Sequence, residues 1–312
     1  MPRFKIIPEN PNVNFIGFRS VFFVFSALLV ISSIAMFLAK GLNYGIDFTG
    51  GIMIELKTEK PNQISLLRER LSTLDLGSVE LQEFGAPDDI LIRIQRQDGD
   101  EDAQQKAVTS AKEAMGNIVA EYRRTELVGP KVSDELFMNG IYAVLSAMLA
   151  ILVYIWFRFE WQFGLGAVIA LLHDVISTIG IFSLLGLEFN LATVAAVLTI
   201  AGYSINDTVV VFDRVRENMR KYKVKPMGEL LNDSANETLS RTVVTSLTTL
   251  IALLALYTLG GSVIRDFSFA MIWGVLIGTY SSISLAVPLL LYLGVTRRTA
   301  DDDNDGVEQT SA

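Results

Sequence analysis

Two ionisable side chains, Asp207 and Arg241, lie in or beside apolar segments long enough to cross a membrane. Asp207 falls in the segment from Leu191 to Phe212, six residues before Asp213, which is about 9 Å along a helix. A carboxylate inside a membrane helix costs roughly 2.5 to 3.5 kcal/mol on insertion scales, so an acid placed there is a candidate for function. Its depth near one end of the segment suits a group that exchanges a proton or another ion with one side of the membrane.

Polar side chains accompany Asp207 in the sequence. Tyr203 and Ser204 precede it by four and three residues, which places their hydroxyls on the same helical face, and Asn206 is its neighbour. A carboxylate with hydroxyl neighbours serves either H⁺ or Na⁺. The residues therefore predict an ion site and leave the identity of the ion open.

A second polar stripe starts at Arg241 and continues through Thr245 and Thr248 at helical spacing. We expect this stripe to face the interior of a helix bundle, where Arg241 lies at a depth similar to that of Asp207. Movement of the guanidinium towards or away from the carboxyl would then change the proton affinity of Asp207. A snorkelling Arg241 and a hydrogen-bonded, purely structural Asp207 are the alternatives.

Another buried acid, Asp174, lies about eleven residues into the third apolar segment. It is either a relay carboxylate in the ion path or a hydrogen-bonding group between helices, and both interpretations stay open. His173 projects about 100° away around the helix and is interpreted mainly as a packing residue. In the sixth segment Gly274, Gly278 and Ser282 recur every four residues, which predicts a close helix contact.

The elements that carry these residues are those of a polytopic α-helical membrane protein. Apolar residues make up 51% of the 312 positions and are concentrated in blocks, as in membrane proteins. The first block is too long for a signal peptide and should remain as an anchor. Cysteine is absent, which excludes disulfides, and no metal site is expected. Six transmembrane helices are predicted, at residues 18–40, 137–157, 163–185, 191–212, 242–259 and 267–293.

The distribution of Lys and Arg predicts the orientation of these helices. With residues 1–17 in the cytoplasm, the inner segments contain twelve Lys and Arg, whereas the short outer loops contain only Arg265. Both termini are therefore expected in the cytoplasm, residues 41–135 form an outer domain, and helices 2 to 6 fill residues 136–295. Residues 296–312 are expected to be a disordered acidic tail.

The outer domain shows the pattern of a ferredoxin-like α+β fold, with elements in the order βαββαβ. Its acids are typical of turns and helix starts, and none is expected to be catalytic. The predicted elements are strands at 52–57, 79–84, 90–96 and 122–128 and helices at 63–74 and 102–120.

A glycine-rich motif joins the first helix to this domain and contains Gly45, Asp47, Gly50 and Gly51. A nucleotide-binding loop is excluded, because a membrane helix precedes the motif and a strand follows it. We interpret the motif as a hinge, in which the glycines adopt positive φ and Asp47 caps nearby amides.

Four motifs together carry a resemblance to a known family. They are the segment from Gly45 to Gly51, the sequence Val128-Gly-Pro130, the pair His173-Asp174 and the segment from Gly202 to Asn218. With six apolar helices around them, these motifs resemble the SecD/SecF family of protein-export membrane subunits over about residues 14–298. The motif around Asp207 is the most specific of the four.

The resemblance implies one six-helix half of a resistance-nodulation-division type assembly, with a SecD-like subunit as the other half. Such a pair is an ion-driven motor that helps the Sec channel (SecY, SecE and SecG) move translocating polypeptides across the bacterial inner membrane. YajC is a further candidate partner, and the Gly274 ridge a candidate contact with SecD. The resemblance also implies that Asp207 and Arg241 are the conduction pair.

Two other function classes remain at this point. The first is one half of a small-molecule exporter of similar architecture, for which an outer domain of about ninety residues is small. The second is a non-transporting scaffold of the translocon. An enzyme is not expected, because the chain has no nucleophile elbow, metal-ligand cluster or nucleotide loop. Neither a cofactor nor nucleic acid is expected.

Overall fold

The computed structural model describes residues 11–84, 86–99, 101–261 and 264–295. These residues form two compact units. The helical unit lies within residues 1–42, 145–187 and 192–312, and the sheet unit consists of residues 43–144 and 188–191. The acidic tail predicted at 296–312 lies outside the described residues.

The elements alternate between membrane-length helices and the short elements of the sheet unit. Single turns of 3₁₀ and π helix lie at Gly116–Ile118 and Ser282–Ala286. In chain order the other elements are α1 (Arg19–Lys40), β1 (Asn43–Tyr44), α2 (Ile46–Thr49), β2 (Gly51–Thr58), α3 (Ile64–Ser72), β3 (Val79–Phe84), β4 (Ala86–Ile94), α4 (Glu101–Met115), β5 (Val119–Val128), α5 (Pro130–Arg158), α6 (Trp161–Leu185), β6 (Glu188–Phe189), α7 (Leu191–Lys221), α8 (Met227–Leu259), α9 (Arg265–Ser281) and α10 (Val287–Tyr292).

Within the described residues, six helices are long and apolar enough to span a membrane: α1, α5, α6, α7, α8 and the helix formed by α9, the π turn and α10. The chain is therefore a polytopic helical membrane protein. α7 continues past Phe212, and α8 begins well before Thr242. These extensions are rich in charged residues that favour helices, so both helices continue beyond their apolar segments.

The centre of the helical unit consists of α6, α7 and the last helix, which are largely buried, whereas α1, α5 and α8 are mostly exposed. Three aromatic rings, those of Phe159, Phe163 and Phe212, pack together with centroids 5.2 to 6.1 Å apart. Aliphatic residues of α7, α8 and α10 complete this core. The core holds α7 between α6 and the last helix.

The sheet unit contains a four-stranded antiparallel sheet in the order β3-β4-β2-β5. One face of β2, including Ile52 and Ile54, packs with α3 and α4 in the core of this unit. The other face is also covered, since Met53 packs with Ile46 of α2 and with Leu91. α4 ends earlier than predicted, because Gly116 follows it with φ +49°.

A second, very short sheet belongs to the same unit. β1 pairs in parallel with β6, and the register places Asn43 opposite Glu188 and Tyr44 opposite Phe189. The sequence did not predict either strand, since two residues are too few for an alternating pattern.

Candidate ion site

Asp174 is the centre of a buried hydrogen-bond network that joins three helices. It lies on α6 and is fully buried. Its Oδ2 accepts hydrogen bonds from Ser204 Oγ of α7 at 2.5 Å and from Ser281 Oγ of α9 at 2.7 Å. The carboxyl therefore fixes the relative positions of α6, α7 and α9 through side-chain hydrogen bonds.

His173 contributes to the same network. Its Nδ1 lies 2.9 Å from Asp174 Oδ1, in hydrogen-bond contact. Adjacent helical residues are separated by about 100° around the helix, as predicted for His173 and Asp174, and the two side chains are nevertheless in contact. The His173 Nε2 atom is buried and has no hydrogen-bond partner among the described residues. His173 thus connects to the acid on one side only.

Asp207 is buried in a different way. The residue is only 4% exposed, and its Oδ2 has no hydrogen-bond partner in the described part of the chain. The charge of Arg241 acts on this carboxyl electrostatically, but neither a hydrogen bond nor an ion pair joins the two described side chains. Removing a carboxylate from water without hydrogen bonds is costly, so the charged form of Asp207 depends strongly on any cation brought near it.

The polar stripe on α8 does not face the interior of the helical unit. Arg241, Thr245 and Thr248 are exposed, so the predicted inward orientation is wrong. The neighbouring residues Thr242 and Ser246 face inwards instead, and Ser246 Oγ lies 2.6 Å from Thr279 Oγ1 of α9. Helical spacing finds a polar stripe but does not tell which of two adjacent polar stripes packs inwards.

The threonines of the exposed stripe satisfy their own hydroxyls. Thr245 Oγ1 donates to Arg241 O at 3.1 Å, and Thr248 Oγ1 donates to Val244 O at 3.0 Å. An exposed threonine on a membrane helix therefore needs no hydrogen-bond partner outside its own helix. Hydrogen bonds to the same helix would not be enough for Arg241, since its guanidinium carries a full charge.

The other polar residues predicted beside Asp207 have different positions. Ser204 bonds to Asp174, Tyr203 OH lies 3.5 Å from Ser246 Oγ, and Asn206 is exposed. The shared helical face of Tyr203, Ser204 and Asp207 spans a wide arc, so its members contact different neighbouring helices. None of the three polar residues hydrogen-bonds the Asp207 carboxyl among the described residues.

The small residues of the last helix pack against α7 of the same chain. A Cβ atom on Gly274 would overlap the side chain of Ile200, and one on Gly278 would lie 3.1 Å from Ser204 Cβ. Ser282 Oγ donates to Ser204 O at 3.3 Å. The ridge is therefore not a contact with a separate subunit, because α7 already fills it. The close approach brings the hydroxyls of α7 and α9 to Asp174.

Hydrogen bonds that the sequence analysis missed hold the start of α8. Val13 N donates to Asn236 Oδ1 and Asn236 Nδ2 donates to Val13 O, both at 2.8 Å. One turn earlier, Asn232 Oδ1 accepts from Ile16 N at 3.3 Å. The sequence signal that could have indicated this contact is the pair of asparagines four residues apart on a polar helical segment.

The glycine motif, predicted to be a hinge, is a tightly packed turn. Gly50 and Gly51 adopt φ +69° and +114°, but Gly45 has φ −70°, so the predicted positive φ is wrong for Gly45. Gly45 is required for space, since its Cβ would lie 3.0 Å from Asn190 Cβ. Asp47 accepts a hydrogen bond from a backbone amide, as predicted. The amide is not a nearby one, however, but that of Leu191, 144 residues away in the sequence.

Comparison with known proteins found matches to two family models and to sequence relatives. Residues 107–296 match the family model for the C-terminal part of the protein export membrane proteins SecD and SecF, and residues 35–61 match the SecD/SecF GG motif. The chain is 47% identical over 303 residues to protein translocase subunit SecF of Cereibacter sphaeroides, covering 95% of this chain and 94% of that protein.

Two further similarities extend this result. Identity to protein translocase subunit SecF of Magnetococcus marinus is 48% over 302 residues, covering 95% of this chain and 97% of that protein. The crystal structure of SecDF from Thermus thermophilus, a translocon-associated membrane protein, superposes with a TM-score of 0.83 at 39% identity. That match covers 92% of this chain and 39% of the SecDF chain, so this chain spans about two-fifths of its length.

Proposed function

This chain belongs to the SecD/SecF family of protein-export membrane proteins, and we propose that it is one half of an ion-gradient-driven motor that assists the Sec channel. The other half is a SecD-like subunit, as the longer SecDF chain suggests. In this proposal the complex uses the ion gradient to help move polypeptides across the bacterial inner membrane.

The observation that carries the proposal is the buried Asp207 carboxyl, which has no hydrogen bond among the described residues and feels the charge of the exposed Arg241. The carboxyl of Asp174 is buried, and its position is fixed by the hydrogen bonds that it accepts from Ser204 and Ser281. Asp207 has none of these bonds among the described residues, and the charge that acts on it belongs to Arg241, whose side chain is exposed. Approach of Arg241 favours the ionised carboxylate, and withdrawal favours the protonated acid.

The exposed stripe on α8 supports the need for a second half. Arg241 is exposed on α8, which is itself long and apolar enough to span the membrane. An arginine that faces lipid is costly, so a protein or water-filled neighbour is expected at this surface. We propose that the SecD-like subunit covers the stripe and completes the ion path.

The available energy is sufficient for this role. One elementary charge that crosses a potential of 100 mV releases about 2.3 kcal/mol. That energy shifts a two-state equilibrium roughly fiftyfold. Each ion that passes Asp207 can therefore bias one conformational step of the complex.

We assign Asp174 and His173 a supporting part in the ion path. Asp174 holds Ser204, which lies three residues before Asp207 on α7. The network thereby keeps α7 in place relative to α6 and α9 while Asp207 changes its protonation. H⁺ and Na⁺ both remain candidates for the coupling ion, and no cofactor is proposed.

Several finer features belong to the same proposal. Both termini face the cytoplasm, and the outer domain predicted at residues 41–135 lies on the far side. Its sheet order β3-β4-β2-β5, with two helices on one face, supports a ferredoxin-like arrangement. SecY, SecE, SecG and YajC are the proposed neighbours, and the chain itself catalyses no covalent reaction. No observation favours a small-molecule exporter or a passive scaffold.

The test is export in vesicles that contain the chain, a SecD-like partner and the Sec channel. Gradient-stimulated export and ion conduction are measured while the proton and sodium gradients are collapsed separately. Asp207→Asn and Arg241→Met should each abolish the gradient-dependent part of both signals without preventing assembly. Glu217→Gln, at an exposed acid on the same helix, is the matched control and should behave like the wild type. Gradient-stimulated export that persists in Asp207→Asn refutes the proposal.

A further inference from the structure

The short segment Glu188–Leu191 between α6 and α7 belongs to the sheet unit and not to the helical unit. Its first two residues form β6, which pairs with β1 just before the glycine motif. Gly45 N also donates to Phe189 O at 3.0 Å. The sheet unit therefore holds the chain at the position where α7 begins.

Asp47 of the glycine motif binds the first residue of α7 directly. Its Oδ2 accepts a hydrogen bond from Leu191 N at 2.9 Å. The first amides of a helix have no partner within the helix, and a negative charge is favourable at this end. Asp47 supplies both the acceptor and the charge from a distant part of the sequence.

Arg93 connects the same segment to the four-stranded sheet. From β4, its Nη2 donates to Glu188 Oε2 at 2.5 Å and its Nη1 donates to Asn43 Oδ1 at 3.2 Å. The side chains of Arg93 and Glu188 are 17% and 14% exposed. A charge-assisted hydrogen bond at such low exposure is stronger than a surface ion pair.

Aromatic rings and glycine packing make this connection stiff. The rings of Tyr44, Phe48, Phe137 and Phe189 lie with contacting centroids 5.8 to 6.3 Å apart. A Cβ atom on Gly45 would lie 2.5 Å from Glu188 Oε1 and 3.0 Å from Asn190 Cβ, so Gly45 packs tightly against these two side chains. The segment Glu188–Leu191 is therefore tightly packed within the sheet unit.

α7 is a continuous helix from Leu191 to Lys221. Asp207 is sixteen residues after Leu191, roughly 24 Å along the axis. We propose that Asp47, Arg93 and Glu188, the α7 anchor, transmit movement of α7 at the ion site to the outer sheet. The inference rests on the proposed ion-driven function. The anchor residues are positioning residues: they do not bind the ion, and they make its passage act on the outer domain.

If the anchor is lost, ion conduction should continue without stimulating export. The full chain is reconstituted with a SecD-like partner and the Sec channel, and ion conduction and gradient-stimulated export are measured separately. Asp47→Ala and Arg93→Ala should each reduce gradient-stimulated export at least tenfold and leave ion conduction within twofold of the wild type. Asp47→Asn keeps an acceptor oxygen for Leu191 N and should restore most of the export. Lys57→Ala, on the same sheet but outside the anchor, is the matched control.

A cross-link separates loss of the anchor from loss of folding. The chain has no cysteine, and Tyr44 and Phe189 are paired neighbours in the register of β1 and β6. Neighbouring strands bring Cα atoms within the range of about 4.4 to 6.8 Å that a disulfide needs. Tyr44→Cys with Phe189→Cys, added to Asp47→Ala, should recover export after oxidation by tetrathionate and lose it again after reduction.

The outcomes distinguish this inference from the proposed function. Normal export by Asp47→Ala, or equal loss of conduction and export, overturns the anchor. Failure of the oxidised cross-link to recover export, with the disulfide shown by mass spectrometry, also overturns it. Conduction and export that survive in Asp207→Asn would instead overturn the proposed function itself.

Discussion

The two buried acids of the helical unit should respond differently to the same substitution. Asp174 is hydrogen-bonded to Ser204, Ser281 and His173, whereas Asp207 has no hydrogen bond among the described residues. Replacement of aspartate by asparagine keeps the size and removes the charge. At Asp174 it should lower stability, and at position 207 it should leave stability unchanged or raise it.

The magnitude follows from the number of bonds at each site. Side-chain hydrogen bonds between membrane helices contribute on average about 0.6 kcal/mol each, with a maximum near 1.7. Asparagine at position 174 keeps one acceptor oxygen, so one or two of the three bonds are lost and the expected cost is about 1 to 2 kcal/mol. Asp207→Asn loses no bond and replaces a group whose charged form is costly in the membrane.

The assay is unfolding of the purified chain in mixed detergent and SDS, monitored by circular dichroism. Ser204→Ala is combined with Asp174→Asn as a double-mutant cycle, because residues in one network should not be additive. Thr199→Ala on α7 is the control for removal of a hydroxyl, since Thr199 is exposed and bonds only to its own helix.

Two results would refute this reasoning. Equal stability of Asp174→Asn and the wild type would mean that the network does not stabilise the packing of α6, α7 and α9. A loss of stability in Asp207→Asn as large as that in Asp174→Asn would mean that Asp207 has hydrogen bonds that the structure does not show. Additive effects of Asp174→Asn and Ser204→Ala would count against the direct bond.

Two further predictions concern packing and charge. Gly278→Leu should separate α9 from α7, because even a Cβ atom would lie 3.1 Å from Ser204 Cβ, and the expected cost of overpacking is about 1 to 3 kcal/mol in the same unfolding assay. In the sheet unit, a hydrogen bond from Lys57 holds the pKa of Asp88 below its ordinary value. The pair therefore stabilises the fold fully at pH values above the unfolded aspartate pKa of about 3.9. This stabilisation is lost as the pH falls through the lower pKa of the folded state. Lys57→Met should raise the Asp88 pKa in an NMR titration, and an unchanged value would count against the pair.

Much of the architecture could be predicted from the sequence because it depends on local patterns. Six membrane helices follow from the length and polarity of apolar segments, and a six-helix set is observed in the described residues. The strands and helices of the sheet unit follow from alternation and helical spacing. The charged residues at 174, 207 and 241 stand out because a membrane segment seldom contains any.

The partners of those residues could not be predicted in the same way. Ser204 was expected beside Asp207 and instead donates a hydrogen bond to Asp174 of α6. The contact between these helices, and not the spacing along α7, chose its partner. The stripe from Arg241 was expected to face inwards and lies outside. In a membrane the surroundings are as apolar as the interior, so hydrophobic periodicity does not tell which polar face is buried.

Contacts between distant segments show the same limit most clearly. Asp47 could be recognised as a capping residue, since aspartate favours that role in any turn. Its actual partner, Leu191 N, is 144 residues away and is reached only because β1 pairs with β6. A pairing of two residues has no sequence signal of its own, so only the tertiary structure decided that the glycine motif holds the start of the helix that carries Asp207.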